Sequence, residues 1–257
     1  MAAAGHPLLS IPAALAAGAL AGLCTGELQT KLSIHPVLSG IITMNALYTV
    51  NLMAMGTTNL AVGSENALFK MLYKLFELTA MQKKVLGAAV SAAIALTVLA
   101  LAILFFRTHL GMCIRATGDN PDMVRASSIN VGRTKVVGLC LSNALVALSG
   151  ALIVHYNGYA DINGSSGTLV YGLAAVIIGE AVFSRGGPSR GLASAIAGSV
   201  IYKIIVTFVV DMNLFGQYSA NMMKLMCAVI VAVTLAIPAA REYLKARTLK
   251  REARRNA

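Results

Sequence analysis

The chain has 257 residues, of which 57% are hydrophobic and only 12% are charged, and its formal net charge is +11. Soluble domains carry about 25% charged residues, so this composition and a mean hydropathy of +0.74 exclude an ordinary soluble protein and indicate an integral membrane protein. In a membrane protein, the positions of Lys and Arg residues indicate which loops are cytoplasmic. The positive net charge is therefore interpreted as a sign of membrane topology, and no nucleic acid partner is expected.

Seven apolar segments follow one another along the chain, and several are close to 20 residues long. They cover residues 8–25, 38–55, 85–106, 136–155, 169–183, 192–210 and 221–238. No ten-residue alternating pattern is present, so the spanning elements are predicted to be helices, which satisfy their own backbone groups in lipid. The predicted fold class is all-α: a polytopic transmembrane helical bundle over residues 1–240, followed by a basic tail at 241–257.

The first segment carries glycines at four-residue spacing, at Gly18, Gly22 and Gly26. Small residues at this spacing let another helix approach closely, so we expect a tight helix pair here. No Lys or Arg precedes the segment, which disfavours a secretory signal peptide.

The second segment is unusually polar for a spanning helix. Asn45, Tyr48 and Thr49 fall on one helical face, and Asn51 follows. Such a face either bonds neighbouring helices or lines an aqueous path, and the pattern leaves both readings open.

Residues 107–135 form a long polar passage between two apolar segments. Within it Asn120 is a predicted N-cap, Pro121 suits the first helical position, and Asp122 complements the helix dipole. A short helix is therefore predicted over about 121–129, and it carries three residues that a partner could contact: Met123, Val124 and Arg125.

Charged residues also occur within the apolar segments. Lys203 lies near the middle of its segment, where a cation is costly unless it pairs, snorkels or faces water, so pathway and structural roles stay open. Glu180 is interpreted as a structural charge that pairs with Arg185 or another basic group. Lys224 is expected to snorkel.

The distribution of Lys and Arg predicts the topology. If the C-terminal tail is cytoplasmic, alternation places loops 184–191, 107–135 and 26–37 on the same side, and most of the 21 Lys and Arg residues lie there. The opposite side receives the loops 56–84 and 156–168. The first of these two loops is expected to hold an interfacial helix around 67–78.

No motif for hydrolysis, redox chemistry or metal binding is present. The chain lacks GxxxxGK[ST], HExxH, CxxC and a nucleophile elbow, so no catalytic residue, metal ligand or bound cofactor is predicted. The four cysteines, Cys24, Cys113, Cys140 and Cys227, have no ligand spacing and are interpreted as small apolar fillers. Transport driven by ATP would need the nucleotide chemistry of another chain.

Three runs of sequence carry a family resemblance. These are TKLSIHPVLSGIITMNALYTVNLMAMG, the passage GMCIRATGDNPDMVRASSINVGRTK with the segment after it, and LVYGLAAVIIGEAVF. Over about residues 15–238 the chain resembles the permease subunits of bacterial ABC importers in the branched-chain amino acid and ribose group. Within that group it most resembles the uncharacterised, tryptophan/tyrosine-type branch.

The resemblance implies a cytoplasmic coupling helix that contacts an ATPase subunit. The residues it implies for that contact are Arg115, Asp119, Asn120, Pro121, Met123, Val124 and Arg125. It also implies an extracytoplasmic solute-binding protein, a second permease copy or paralogue, ATP and Mg²⁺ in the ATPase partner, and a multi-pass location in the bacterial cytoplasmic membrane, in contact with lipid. The candidate residues for the translocation path are Asn45, Tyr48, Asn51, Asn143 and Lys203.

Two alternatives remain at this point. An ion-coupled secondary transporter would use Lys203, Glu180 and the Asn45 face for substrate and ion. The second alternative is a membrane scaffold without a transport function. It stays open because members of the family usually begin with a further apolar region that precedes the position of Met1 here.

Overall fold

The computed structural model describes residues 6–62, 80–165, 168–182 and 187–211, together with the single positions 69, 229, 232 and 236. The chain forms two compact units, Met1–Ser165 and Ser166–Ala257. The described part is almost entirely helical, in agreement with the predicted all-α fold class.

The described part of the first unit contains six helices and a small sheet. In chain order they are α1 (Pro7–Thr30), α2 (Pro36–Met55), β1 (Asn59–Ala61), α3 (Ala80–Arg107), α4 (His109–Asp119), α5 (Pro121–Ala126), α6 (Val131–Asn157) and β2 (Tyr159–Asp161), followed by a 3-10 turn at Asn163–Ser165. The described part of the second unit contains α7 (Thr168–Val182) and α8 (Pro188–Asp211).

Five of the described helices are long and apolar enough to cross a membrane. The candidate spans are Pro7–Thr30, Pro36–Met55, Met81–Arg107, Val131–Asn157 and Ser189–Phe208, and Tyr171–Ala181 is a shorter apolar helix. These helices coincide with the first six predicted segments. The seventh, at 221–238, lies outside the described residues apart from single positions, as do Lys224 and the tail, so the number seven and the side of the C-terminus stay predictions.

The core of the first unit is a close antiparallel seam between α1 and α6. A Cβ atom at Gly18 would lie 2.5 Å from the carbonyl oxygen of Asn143, and one at Gly26 would lie 3.0 Å from the Cα of Val136. Such distances leave no room for a side chain, so the predicted close approach at the glycine triplet is confirmed.

Hydrogen bonds between polar side chains join α1 to α6 and α1 to α2. Ser10 Oγ lies 2.7 Å from Nε2 of His155, a side chain that is 1% exposed. Thr25 Oγ1 donates a hydrogen bond to Thr43 Oγ1 at 3.0 Å and joins α1 to α2. Buried hydroxyl and imidazole groups need such partners in an apolar surrounding, and they orient the helices that carry them.

A two-stranded antiparallel sheet closes one end of the first unit. β1 pairs with β2 in the register Asn59↔Asp161, Leu60↔Ala160 and Ala61↔Tyr159. Phe69, which is 4% exposed, packs edge-on against Tyr156 at 5.5 Å between ring centroids. The remainder of the predicted interfacial helix at 67–78 lies outside the described residues.

The described part of the second unit contains an equally close helix pair. A Cβ atom at Gly179 would collide with the carbonyl group of Ser194, and one at Gly198 would collide with the carbonyl oxygen of Ala175. Around this contact lies a small core of Ala174, Ala175, Ile178 and Tyr202. The pairing positions one face of α7 against one face of α8.

Candidate functional site

The polar passage begins with a tight corner between α3 and α4. Thr108 caps α4: its Oγ1 accepts from the N–H of Gly111 at 3.3 Å and donates to the carbonyl of Phe105 at 2.6 Å. A Cβ atom at Gly111 would lie 2.5 Å from the Cα of Phe106. Only glycine permits this approach, so the corner holds α4 at a defined position against the end of α3.

A buried hydrogen bond joins α4 to the start of α6. The Oγ1 atoms of Thr117 and Thr134 lie 2.9 Å apart, and both residues are buried. Thr134 stands in the first turn of a helix long and apolar enough to span the membrane. The polar passage is therefore attached directly to a candidate membrane-spanning helix.

The short helix α5 has the start that the sequence predicts. Asn120 Oδ1 accepts from the backbone N–H groups of Asp122 and Met123, each at 3.1 Å, and Pro121 occupies the first turn. The predicted extent to residue 129 is too long. The helix ends at Ala126, because the chain turns through Ser128, whose φ is 60°.

The three central residues of α5 point in different directions. Met123 is 55% exposed, and Arg125 is exposed beside Asp122, at 3.4 Å between Nη1 and Oδ1. Val124 is only 1% exposed. The expectation that Val124 would present its side chain to a partner is therefore wrong: that side chain anchors α5, and the free surface consists of its neighbours.

The other predicted coupling residues lie on or beside α4. Arg115 and Asp119 are exposed, in the last two turns of that helix. Asn120 is exposed as well, although its side-chain oxygen is engaged in capping. The sequence interpretation missed Thr117 and Thr134, which hold this segment. Two threonines 17 residues apart carry no pattern that identifies them as a pair.

A polar cleft opens beside α5 within the first unit. Its volume is ≈ 890 Å³. Its lining comes from the end of α1, the connector to α2, the turn after α5 and the first turns of α6: Gln29, Thr30, Ser33, Ile34, His35, Pro36, Arg125, Ser128, Ile129, Asn130, Val131, Gly132 and Lys135. Loops 26–37 and 107–135 thus meet at one end of the unit, which agrees with their assignment to the same side of the membrane.

The structure separates the path candidates of the first unit. Asn45, Tyr48 and Asn51 are exposed on α2, whose buried positions are instead Ser39 and Thr43. Asn143 lies half-buried in the seam, and its Nδ2 donates to the carbonyl of Leu139 at 2.9 Å in its own helix. Asn143 therefore belongs to a packed helix contact, whereas the α2 residues form a free polar face.

Lys203, in the second unit, has an aromatic neighbour. Its Nζ lies 5.9 Å from the ring centroid of Tyr171, and that ring stacks on Tyr202 at 6.0 Å. A cation over an aromatic face is stabilised by the ring quadrupole, which lowers the cost of a lysine in an apolar helix.

Lys203 also lies in a groove of ≈ 630 Å³ along α8. The groove is lined by Ser199, Val200, Lys203, Ile204, Thr207, Phe208 and Asp211.

Glu180 is exposed on α7, and Arg185 lies outside the described residues, so their pairing stays a prediction. In the part of the chain that the structure describes, no group of three His, Cys, Asp or Glu residues could hold a metal ion.

Comparison with known proteins identifies the family. The model of a family described as branched-chain amino acid transport system / permease component matches residues 1–237. A tyrosine transport system permease protein of Clostridioides difficile is 34% identical over 230 residues, which is 90% of this chain and 72% of that protein.

Two further relatives extend the comparison. A ribose import permease protein of Escherichia coli is 28% identical, over 90% of this chain and 68% of its own length. A probable branched-chain amino acid transport permease protein of Methanocaldococcus jannaschii is 27% identical, over 90% of this chain and 72% of its own length. No solved structure matches the chain.

The family match covers most of the chain, and the family consists of transport subunits rather than enzymes. The resemblance noted in the sequence is confirmed. With five helices capable of crossing a membrane, the protein is a multi-pass protein of the inner membrane. The chain belongs to the branched-chain amino acid transport permease family, and it is an ABC transporter permease.

Proposed function

We propose that this chain is the membrane subunit of an importer that moves a small organic solute, an amino acid, into the cytoplasm by alternating access. A separate ATPase subunit, which holds the ATP and Mg²⁺, powers the movement, and no cofactor is bound by this chain. An extracytoplasmic solute-binding protein delivers the substrate, and a second permease copy or a paralogue completes the path. We propose an amino acid as the substrate because the tyrosine transport system permease protein is 34% identical to this chain.

The observation that carries the proposed coupling is the attachment of the polar passage to α6. α5 presents Met123 and Arg125 outward, and only Asn120 separates it from α4. α4 is in turn bonded to α6 through the buried Thr117–Thr134 contact. A displacement of α5 by an ATPase would therefore be transmitted to a spanning helix through packed and hydrogen-bonded elements.

The proposed substrate contacts are two separate sets of residues, each described within its own unit: the exposed polar face of α2 in the first unit and the groove on α8 in the second. Asn45, Tyr48 and Asn51 offer amide and phenol groups, and Lys203 offers a cation for a carboxylate. Asn143 is also proposed as a path residue, although it lies half-buried where α1 and α6 touch.

Reconstitution into liposomes tests the proposed function. The chain would be combined with its ATPase and solute-binding protein, and uptake of radiolabelled aromatic amino acids would be followed with and without ATP. We expect uptake to require ATP and both partners. Uptake by the chain alone, driven by an ion gradient, would contradict the assignment and favour a secondary transporter.

A pair of variants tests the coupling element in the same assay. Asn120→Trp removes the cap and adds bulk at the start of α5, and should reduce uptake per ATP hydrolysed. Asn120→Asp keeps a capping oxygen and should retain most of the uptake. Equal and normal uptake by both variants would contradict the coupling role.

A further inference from the structure

The free surface of α5 is small for a docking site. The helix has six residues, its central Val124 is buried, and its outward side chains belong to Asp122, Met123 and Arg125. A specific and stable protein interface buries about 800 Å² on each partner, from about 20–30 residues. An ATPase bound through α5 must therefore contact neighbouring surface as well.

The cleft beside α5 is the surface continuous with it. Arg125 belongs to both, since it stands on α5 and also lines the cleft. One wall is the connector around Ser33 and His35, and the other is the turn around Ser128 and Asn130. Ser33 and Ser128 both have positive φ, 51° and 60°, so each wall is shaped by a residue in the left-handed region.

The charge of the cleft is of one sign. Arg125 and Lys135 are its basic side chains, and no Asp or Glu lines it. Glu27 lies at the end of α1 but forms an ion pair with Lys31. Within the described part of the chain, Lys135 has no ion-pair partner.

The one carboxylate near Arg125 leaves its charge available. Asp122 lies 3.4 Å from the guanidinium, and the side chains are 68% exposed for Arg125 and 85% exposed for Asp122. Such an exposed pair contributes little to stability and breaks readily when a better-placed carboxylate arrives. The cleft therefore suits an anionic side chain that brings charge-assisted hydrogen bonds.

We infer that this cleft is the second half of the ATPase docking surface, and that it receives an Asp or Glu side chain of the ATPase between Arg125 and Lys135. This inference rests on the proposed function. The occupant is a protein carboxylate because the cleft is continuous with the exposed end of α5. The headgroup of an anionic phospholipid is the competing occupant, and the experiment distinguishes the two.

The experiment uses the full permease co-expressed with its ATPase and purified in mild detergent. Lys135→Glu and Lys135→Gln should lower the amount of ATPase recovered, by about tenfold for the charge reversal. Lys135→Arg should retain the ATPase. Arg133→Glu is the matched control, because Arg133 is an exposed cation on the same helix that does not line the cleft. Thermal unfolding confirms that each variant is folded.

Chemical cross-linking identifies the occupant directly. A carbodiimide activates a carboxylate, which then forms an amide with a lysine amine in contact with it. We expect the wild type to give a cross-link between Lys135 and one acidic residue of the ATPase, located by mass spectrometry of the peptides. Lys135→Arg should bind the ATPase but lose this cross-link.

The outcomes separate the two levels of the inference. ATPase recovery that is equal for Lys135→Glu and Arg133→Glu would overturn the assignment of the cleft alone. Loss of co-purified phosphatidylglycerol or cardiolipin from Lys135→Glu, with unchanged ATPase recovery, would overturn it in favour of a lipid site. Absence of any ATPase from the wild-type preparation would overturn the proposed function together with this inference.

Discussion

Thr117 and Thr134 place their hydroxyl oxygens 2.9 Å apart in a buried contact between α4 and the first turn of α6. Each hydroxyl also lies close to a backbone carbonyl of its own helix: that of Cys113 at 2.8 Å for Thr117, and that of Val131 at 2.9 Å for Thr134. Helix α4 cannot shift against α6 without breaking this arrangement. The pair is thus one of two points, with the Gly111 corner at the end of α3, where a movement of the polar passage would reach a spanning helix.

The first prediction concerns this pair. Thr117→Val keeps the shape of the side chain and removes the hydroxyl, so the free energy of unfolding should fall by about 1 kcal/mol. Thr134→Val should have a similar effect, and the double variant should lose less than the sum of the two. Thermal unfolding in detergent measures stability, and uptake per ATP hydrolysed should fall in each variant. Strict additivity would show that the two hydroxyls do not interact.

The second prediction concerns the seam between α1 and α6. A Cβ atom at Gly22 would lie 2.6 Å from the Cα of Cys140, so Gly22→Ala should force the helices apart and cost about 1–3 kcal/mol of stability. Gly40→Ala is the matched control, because a Cβ atom there meets nothing within 4 Å. The control should be neutral or stabilising by up to about 1 kcal/mol, because alanine favours helix. Equal melting temperatures for the two variants would contradict the described packing.

The third prediction separates two adjacent residues of α5. Met123→Ala changes an exposed side chain and should leave the free energy of unfolding within about 0.5 kcal/mol, while weakening recovery of the ATPase. Val124→Ala removes buried methyl groups and should lower stability by about 1–2 kcal/mol. Unfolding and co-purification would be measured on the same preparations. A Val124 variant of full stability would contradict its buried position.

The fourth prediction concerns Lys203. An unpartnered cation at the centre of a spanning helix costs about 2.5–3.5 kcal/mol, and the Tyr171 ring offsets only part of this cost for Lys203, so Lys203→Met should stabilise the protein while reducing uptake. Lys203→Arg keeps the charge over the Tyr171 ring and should retain part of the uptake. Tyr171→Phe preserves the aromatic face and serves as a control for packing. Normal uptake by Lys203→Met would assign the lysine a structural role.

Several features followed from the sequence alone, because they depend on local chemistry. Six of the seven apolar segments correspond to described helices, since lipid leaves backbone groups no partner outside a helix. The glycine spacing predicted the close seam, and the residues Asn120 and Pro121 predicted the start of α5. Helix capping and glycine spacing involve residues that lie close together in the sequence, so both can be predicted from the sequence alone.

Other features needed the tertiary structure. Val124 could not be separated from Met123 by pattern, because a six-residue helix is too short to show a period. The cleft joins residues 29–36 to residues 125–135, and the sheet joins β1 to β2 across about 100 residues. The side chains that Thr25, His155 and Thr117 contact through hydrogen bonds could not be predicted from the sequence either. Hydropathy predicts that a helix is surrounded by lipid or protein. Only the tertiary packing determines which face of the helix contacts which neighbouring helix.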